Sequence, residues 1–110
     1  MKVFDVSSKV TGTGEYILGA DATGSHACYL LYGVLKAGEA GRELKPGRGH
    51  EEIVLAVSGD LELTGDHRGI LKQGQAIHLL GEEACLAANP SAEDVVYVIA
   101  GGHSPNGHQH

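Results

Sequence analysis

Tryptophan is absent from this chain of 110 residues, phenylalanine and methionine occur once each, and aromatic residues make up 5%. Proline occurs only 3 times against 17 glycines, so the chain is rich in turns without being collagen-like or low-complexity. Two cysteines, Cys28 and Cys85, are too few for a disulfide framework, and they are read as free thiols. Basic residues number 8 against 14 acidic ones, for a net charge of -6, and they stand singly along the chain. Nucleic-acid affinity rests on clustered Lys and Arg, so a nucleic-acid surface is excluded from the expectations. No apolar run reaches the ~18 to 20 residues needed to cross a bilayer, and the Met-Lys-Val-Phe-Asp start lacks the apolar stretch of a signal peptide, so the expected address is the cytoplasm. There is no GxSxG elbow, Walker-type loop, CxxC pair or HExxH helix, which leaves hydrolase, NTPase, thioredoxin-like and zincin chemistries without an anchor.

What the chain does contain is a regular beat. Short stretches rich in Val, Ile, Leu and Tyr alternate with Gly, Pro, Asn and Asp clusters about every 8 to 12 residues, the rhythm of an antiparallel sandwich or barrel. No segment keeps a helical period. Residues 26–36 (HACYLLYGVLK) are apolar on both parities, which suits a strand covered on both faces. HEEIVLAV (50–57) and DLELT (60–64) are expected to form a hairpin through Ser58-Gly59-Asp60. GILK, AIHLL, ACLAA and VVYVIAG follow as further strands. The expected organisation is one domain over residues 1–102 and a polar, flexible tail over 103–110 that carries His103, His108 and His110.

Gly41, and then Glu52-IVLAVS-Gly59, lie at the spacing of half a known motif; Gly74-QAIHLL-Gly81 followed by Cys85-LAA-Asn89 lie near a second. In these residues the chain resembles the cupins, small RmlC-like proteins, over about residues 28–100. The resemblance implies an all-β fold, an antiparallel jelly-roll barrel also described as a double-stranded β-helix, and it implies a homodimer. It also implies a metal set, from which this chain departs: the two histidines that would precede Glu52 fall on Pro46 and Arg48, and the third falls on Cys85.

Side chains two apart on a strand share a face, so Arg48, His50 and Glu52 are expected to point into the barrel. Imidazole, carboxylate and thiolate are all competent ligands for a first-row divalent metal, so His50, Glu52, His78 and Cys85 could rebuild a site for Fe, Mn, Ni or Zn from shifted positions. Against that, Arg48 is a permanent cation that would repel a metal and attract a carboxylate or phosphate of a small ligand. A buried Glu52 would need Arg48, a metal or a raised pKa. Each candidate also has a plainer reading: Arg48 as a solvated turn residue, His78 as a hydrogen-bonded histidine, Cys85 as a small buried hydrophobe, His67 as an exposed loop residue. The expected function is binding of a small molecule or metal ion in the barrel, lined by Arg48, His50, Glu52, His78 and Cys85. The alternative is a metal-dependent enzyme of dioxygenase, isomerase or lyase type with a non-standard His/Glu/Cys site.

Overall fold

Alternation of apolar and polar residues sets both the strands and the faces they bury. The computed structural model describes residues 1–104. In it the chain runs β1 (Glu15–Leu18), a single helical turn α1 (Ala20–Thr23), β2 (Cys28–Leu35), β3 (Arg42–Leu44), β4 (His50–Ala56), β5 (Leu61–Gly65), β6 (Gly69–Leu71), β7 (Ala76–Leu80), β8 (Cys85–Ala88) and β9 (Val95–His103). All pairings are antiparallel. They form a five-stranded sheet, β1-β2-β9-β4-β7, and a four-stranded sheet, β3-β8-β5-β6, which is the expected all-β jelly roll.

The two sheets close on leucine and its neighbours. Leu35, Val54, Ala56, Leu79, Tyr97 and Ile99 of the larger sheet and Leu44, Leu61, Leu63 and Ala87 of the smaller one are buried in a single cluster. In β4 this places Glu52, Val54 and Ala56 inward and Glu51, Ile53 and Leu55 outward, the period of two that a half-buried strand requires. His50 shares the inward parity.

The β4–β5 hairpin expected from the sequence does not form. Val57 and Ser58 donate their backbone N–H groups to the carbonyl of Val96, and Ser58 Oγ accepts the Val96 N–H at 2.7 Å. These bonds hold the end of β4 on β9, and the chain then crosses to the other sheet, where β5 pairs with β6 and β8. The boundary expected at residue 102 also moves: β9 continues through Gly102 to His103, which pairs opposite His50. Residues 105–110, the rest of the expected tail, lie outside the described residues.

Asn89, the last residue of the second motif, is fully buried, and its role is structural. Its Nδ2 donates to the carbonyls of Leu35, Lys36 and Glu93, and its Oδ1 accepts from the N–H and hydroxyl of Ser91. One amide thereby fastens the 89–94 loop to the end of β2.

Candidate functional site

At one end of the barrel the sheets part around a cavity of about 400 Å³. Its floor is apolar, from Ile17, Leu31, Leu44 and Ile99, and its polar wall carries Glu15, Tyr29, Glu43, Lys45, His50 and Glu52. The Lys45 ammonium lies 3.7 Å from Glu82, which is not part of the wall.

Two of the carboxylates are held by the same local device. Gly101 of β9 pairs with Tyr29 of β2 on one side and with Glu52 of β4 on the other. A Cβ on Gly101 would sit 2.2 Å from Tyr29 Cζ, so only glycine leaves room for the ring to lie across β9. The phenol then reaches the next strand and donates to Glu52 Oε2 at 2.5 Å. On the same ladder, Gly33 of β2 pairs with Tyr97 of β9 and with Glu15 of β1. A Cβ there would sit 2.1 Å from Tyr97 Cζ, and the Tyr97 hydroxyl donates to Glu15 Oε2 at 2.6 Å.

Both phenols are pushed well above the ordinary tyrosine range, by burial first and then by the hydrogen bond and negative charge of the glutamate. They therefore stay protonated and act as donors. Glu52 is only 7% exposed, and the Tyr29 hydroxyl supplies the hydrogen bond that a buried carboxylate needs. Tyr97 also accepts from Arg42 Nη1 at 2.8 Å, and Arg42 Nη2 is bound to Glu39 at 2.7 Å. That contact, together with a hydrogen bond from the Lys36 N–H, holds the Glu39 carboxyl below the usual range, the backbone bond being the larger cause.

His50 lies beside this wall. Its ring stands edge-on to Tyr29 with centroids 6.1 Å apart, and 5.0 Å from the ring of His103. Its Nδ1 is 3.2 Å from the carbonyl oxygen of Arg48. A carbonyl only accepts, so Nδ1 carries the hydrogen and the neutral ring keeps its lone pair on Nε2.

Of the five residues expected to line the barrel, the structure brings only His50 and Glu52 together. Arg48 is exposed in the turn before β4 and lies outside the cavity wall, because the turn breaks the strand parity that would have aimed it inward. It is not the cation that neutralises Glu52. His78 is on the outer face of β7 opposite Ile53, where its Nε2 meets Glu51 Oε1 at 2.8 Å. Cys85 is buried on β8 opposite Leu44, a free thiol with Sγ 3.5 Å from the carbonyl of His67. His67, expected to be an exposed loop residue, turns Nε2 away from solvent to lie 3.3 Å from Glu83.

The four-ligand set of His50, Glu52, His78 and Cys85 is therefore not assembled, since the strands put its members on an inner wall, an outer face and the opposite sheet. No group of three or more His, Cys, Asp or Glu side chains suited to hold a metal occurs among the described residues. Among the described residues, the donors do not fit the divalent ion that the sequence offered as one possibility. The residues the sequence reading missed are Tyr29, Glu15 and Tyr97. Their signal was Gly33 inside one strand-like run and Gly101 at the end of another, since a glycine in a strand marks close approach by another group.

No family model and no curated protein sequence matches the chain. Among solved structures, a Cupin 2 conserved barrel domain protein from Salinispora arenicola is similar with a TM-score of 0.76 at 17% identity, over 94% of this chain and 90% of that one. An RmlC-like cupin from Shewanella frigidimarina gives 0.67 at 14% identity, over 96% and 94%. A predicted oxalate decarboxylase from Thermotoga maritima gives 0.66 at 16% identity, over 82% and 81%. At these identities the likeness is one of fold. No helix among the described residues is long and apolar enough to cross a membrane.

Proposed function

We propose that this chain, which has the cupin fold, is a binding module for a small organic molecule taken up in the barrel-end cavity. The observation that carries this reading is the Tyr29–Glu52 pair, a buried carboxylate and its donor placed in the wall of a cavity with an apolar floor. A concave apolar site with a few converging polar groups is the usual form of a ligand pocket. The wall also selects. With Glu15, Glu43 and Glu52 facing the space and Lys45 drawn toward Glu82, it disfavours the anionic ligand that an inward Arg48 would have held. His50 Nε2 adds one acceptor for a ligand hydroxyl or amine.

A thermal-shift screen of cationic, neutral and anionic small molecules tests the reading, with Ile17→Trp as the cavity-filling control. Ile17 lines the cavity and is 56% exposed, so the larger ring fills the space at little cost to the core. Ligands are expected to stabilise the wild type and to leave Ile17→Trp unshifted. Equal shifts in both proteins would overturn the assignment. We further propose that two copies pair through the outer face of the five-stranded sheet.

A further inference from the structure

We propose that the barrel-end cavity takes a small neutral phenol, its hydroxyl donating to His50 Nε2 and its ring seated between the His50 and Tyr29 rings and the apolar floor. The inference rests on the binding reading above and names the ligand class for that site. It is carried by which polar groups of the wall are already satisfied, and by what is left.

Most of the charge in the wall is paired within the chain. Glu52 takes the Tyr29 hydroxyl at 2.5 Å, and Glu15 takes the Tyr97 hydroxyl at 2.6 Å and lies 3.8 Å from Arg42 Nη1. Lys45 lies 3.7 Å from Glu82. Glu43 is exposed, so water can solvate its carboxylate. A ligand that brought a charge of its own would have to break one of these pairs or go without a partner, and an unpaired charge taken out of water is costly. The wall therefore favours a neutral molecule.

What is left is an acceptor on His50. Among the described residues its side chain makes one hydrogen bond, from Nδ1–H to the Arg48 carbonyl at 3.2 Å, which leaves the lone pair of the neutral ring on Nε2. That bond and the His103 ring, which β9 places opposite at 5.0 Å between centroids, hold the imidazole in position before any ligand arrives. An acceptor fixed in advance selects a donor and lowers the ordering cost of binding. A hydroxyl supplies that donor without a charge.

The ring of the ligand follows from the shape around that acceptor. His50 and Tyr29 both line the cavity, and their rings meet at 62° with centroids 6.1 Å apart. In such a corner a flat ring can lie against one neighbour and edge-on to the other, the two arrangements aromatic pairs prefer. Ile17, Leu31, Leu44 and Ile99 then cover the rest of the ring and offer it neither donor nor acceptor. The cavity, at about 400 Å³, is of the size that small-molecule sites have.

The test is isothermal titration with p-cresol, 4-methylanisole, 4-methylcyclohexanol and p-toluate. The anisole caps the hydroxyl, the cyclohexanol keeps it on a saturated ring, and the toluate carries a negative charge. The cresol is expected to bind about 5-fold or more tightly than the anisole, as one hydrogen bond allows, and that advantage to vanish in His50→Phe, with circular dichroism confirming the fold. In case His50→Phe does not fold, nitrogen NMR of the wild type reads the same bond: the Nε2 resonance of His50 is expected to move with the cresol and to stay in place with the anisole. Equal affinity for cresol and anisole, lost for both in Ile17→Trp, would overturn the phenol while keeping the cavity as a binding site. Equal affinity for cresol and cyclohexanol would overturn the aromatic corner. Toluate binding alone would overturn the neutral ligand and the selection by the wall together. Absence of cresol binding to folded wild type would overturn the phenol.

Discussion

Tyr97 shows how much one buried hydroxyl can organise. It donates to Glu15, accepts from Arg42, and lies wholly inside the barrel. Tyr97→Phe keeps the ring and removes both bonds, leaving Arg42 and Glu15 each short of a partner. Stability to urea is expected to fall by about 2 kcal/mol, in the range for hydrogen bonds to charged groups. The pH dependence follows from the same atoms. A phenol whose folded-state pKa is raised above its unfolded value stabilises the fold fully below the unfolded pKa of ~10, and that stability drains away as pH rises past it. Urea midpoints measured on the alkaline side are expected to decline less in Tyr97→Phe than in the wild type; an equal decline would show that Tyr97 does not govern it. Asn89 is the comparable case in a loop. Asn89→Leu leaves the carbonyls of Leu35, Lys36 and Glu93 without their shared donor. The expected loss is about 3 kcal/mol, read from the same urea midpoints.

The strands themselves were largely legible in the sequence, because a half-buried strand writes its period of two directly into residue type. AIHLL became β7 without a change of boundary, and HEEIVLAV became β4 less one residue. What local patterning does not encode is which strand lies beside which. Val96 captures the end of β4, so the 57–60 link became a crossing between sheets and not a hairpin. β1 and β3 are short and interrupted by charge, Glu15 in one and Arg42 and Glu43 in the other, and they carry no alternation strong enough to announce them. The site suffered for the same reason. His50 and Glu52 are neighbours on one strand and could be paired by parity, whereas Tyr29 meets Glu52 only through the pairing of β2, β9 and β4. The two ladder glycines test this at the level of the element. Gly101→Ala is expected to push the Tyr29 ring off β9 and break its bond to Glu52, abolishing ligand binding while the fold, read by circular dichroism, survives at the barrel end. Gly33→Ala forces Tyr97, a core residue, against the packed interior, and overpacking of that kind costs about 1 to 3 kcal/mol. If both variants lost the same stability and both kept binding, the clamps would be mere packing.

For the whole molecule the unusual feature is that the five-stranded sheet is apolar on both sides. Antiparallel sheets commonly keep one face polar. Here the outer face presents Tyr32, Val98 and Leu55 in one cross-strand row and Leu30 and Ile53 in the next, with Ile53 50%, Leu80 48% and Leu55 37% exposed. Five strands at ~4.8 Å spacing, four to nine residues in length with β2 at eight, make a face of about 24 Å by 26 Å taken along β2. That is on the order of 600 Å² before side-chain relief is counted, close to the ~800 Å² per partner of a standard interface. A second copy fits this face by its own chemistry: an apolar patch turned about a two-fold axis is complementary to itself. At the edge, His78 Nε2 already meets Glu51 Oε1 within one chain, so the Glu51 carboxylate keeps a hydrogen-bond partner when two copies come together. Light scattering on the purified protein is therefore expected to give twice the mass of the chain. Leu55→Glu puts a charge at the centre of the face, where its desolvation would cost several kcal/mol per copy, and is expected to give the single-chain mass without loss of the β-sheet signal. Arg48→Glu, on an exposed turn outside that face, is expected to leave the mass doubled. A wild type that scatters as one chain at micromolar concentration would show that the outer face stays open to solvent. The apolar rows of β4 and β9 would then serve only the stability of the single sheet.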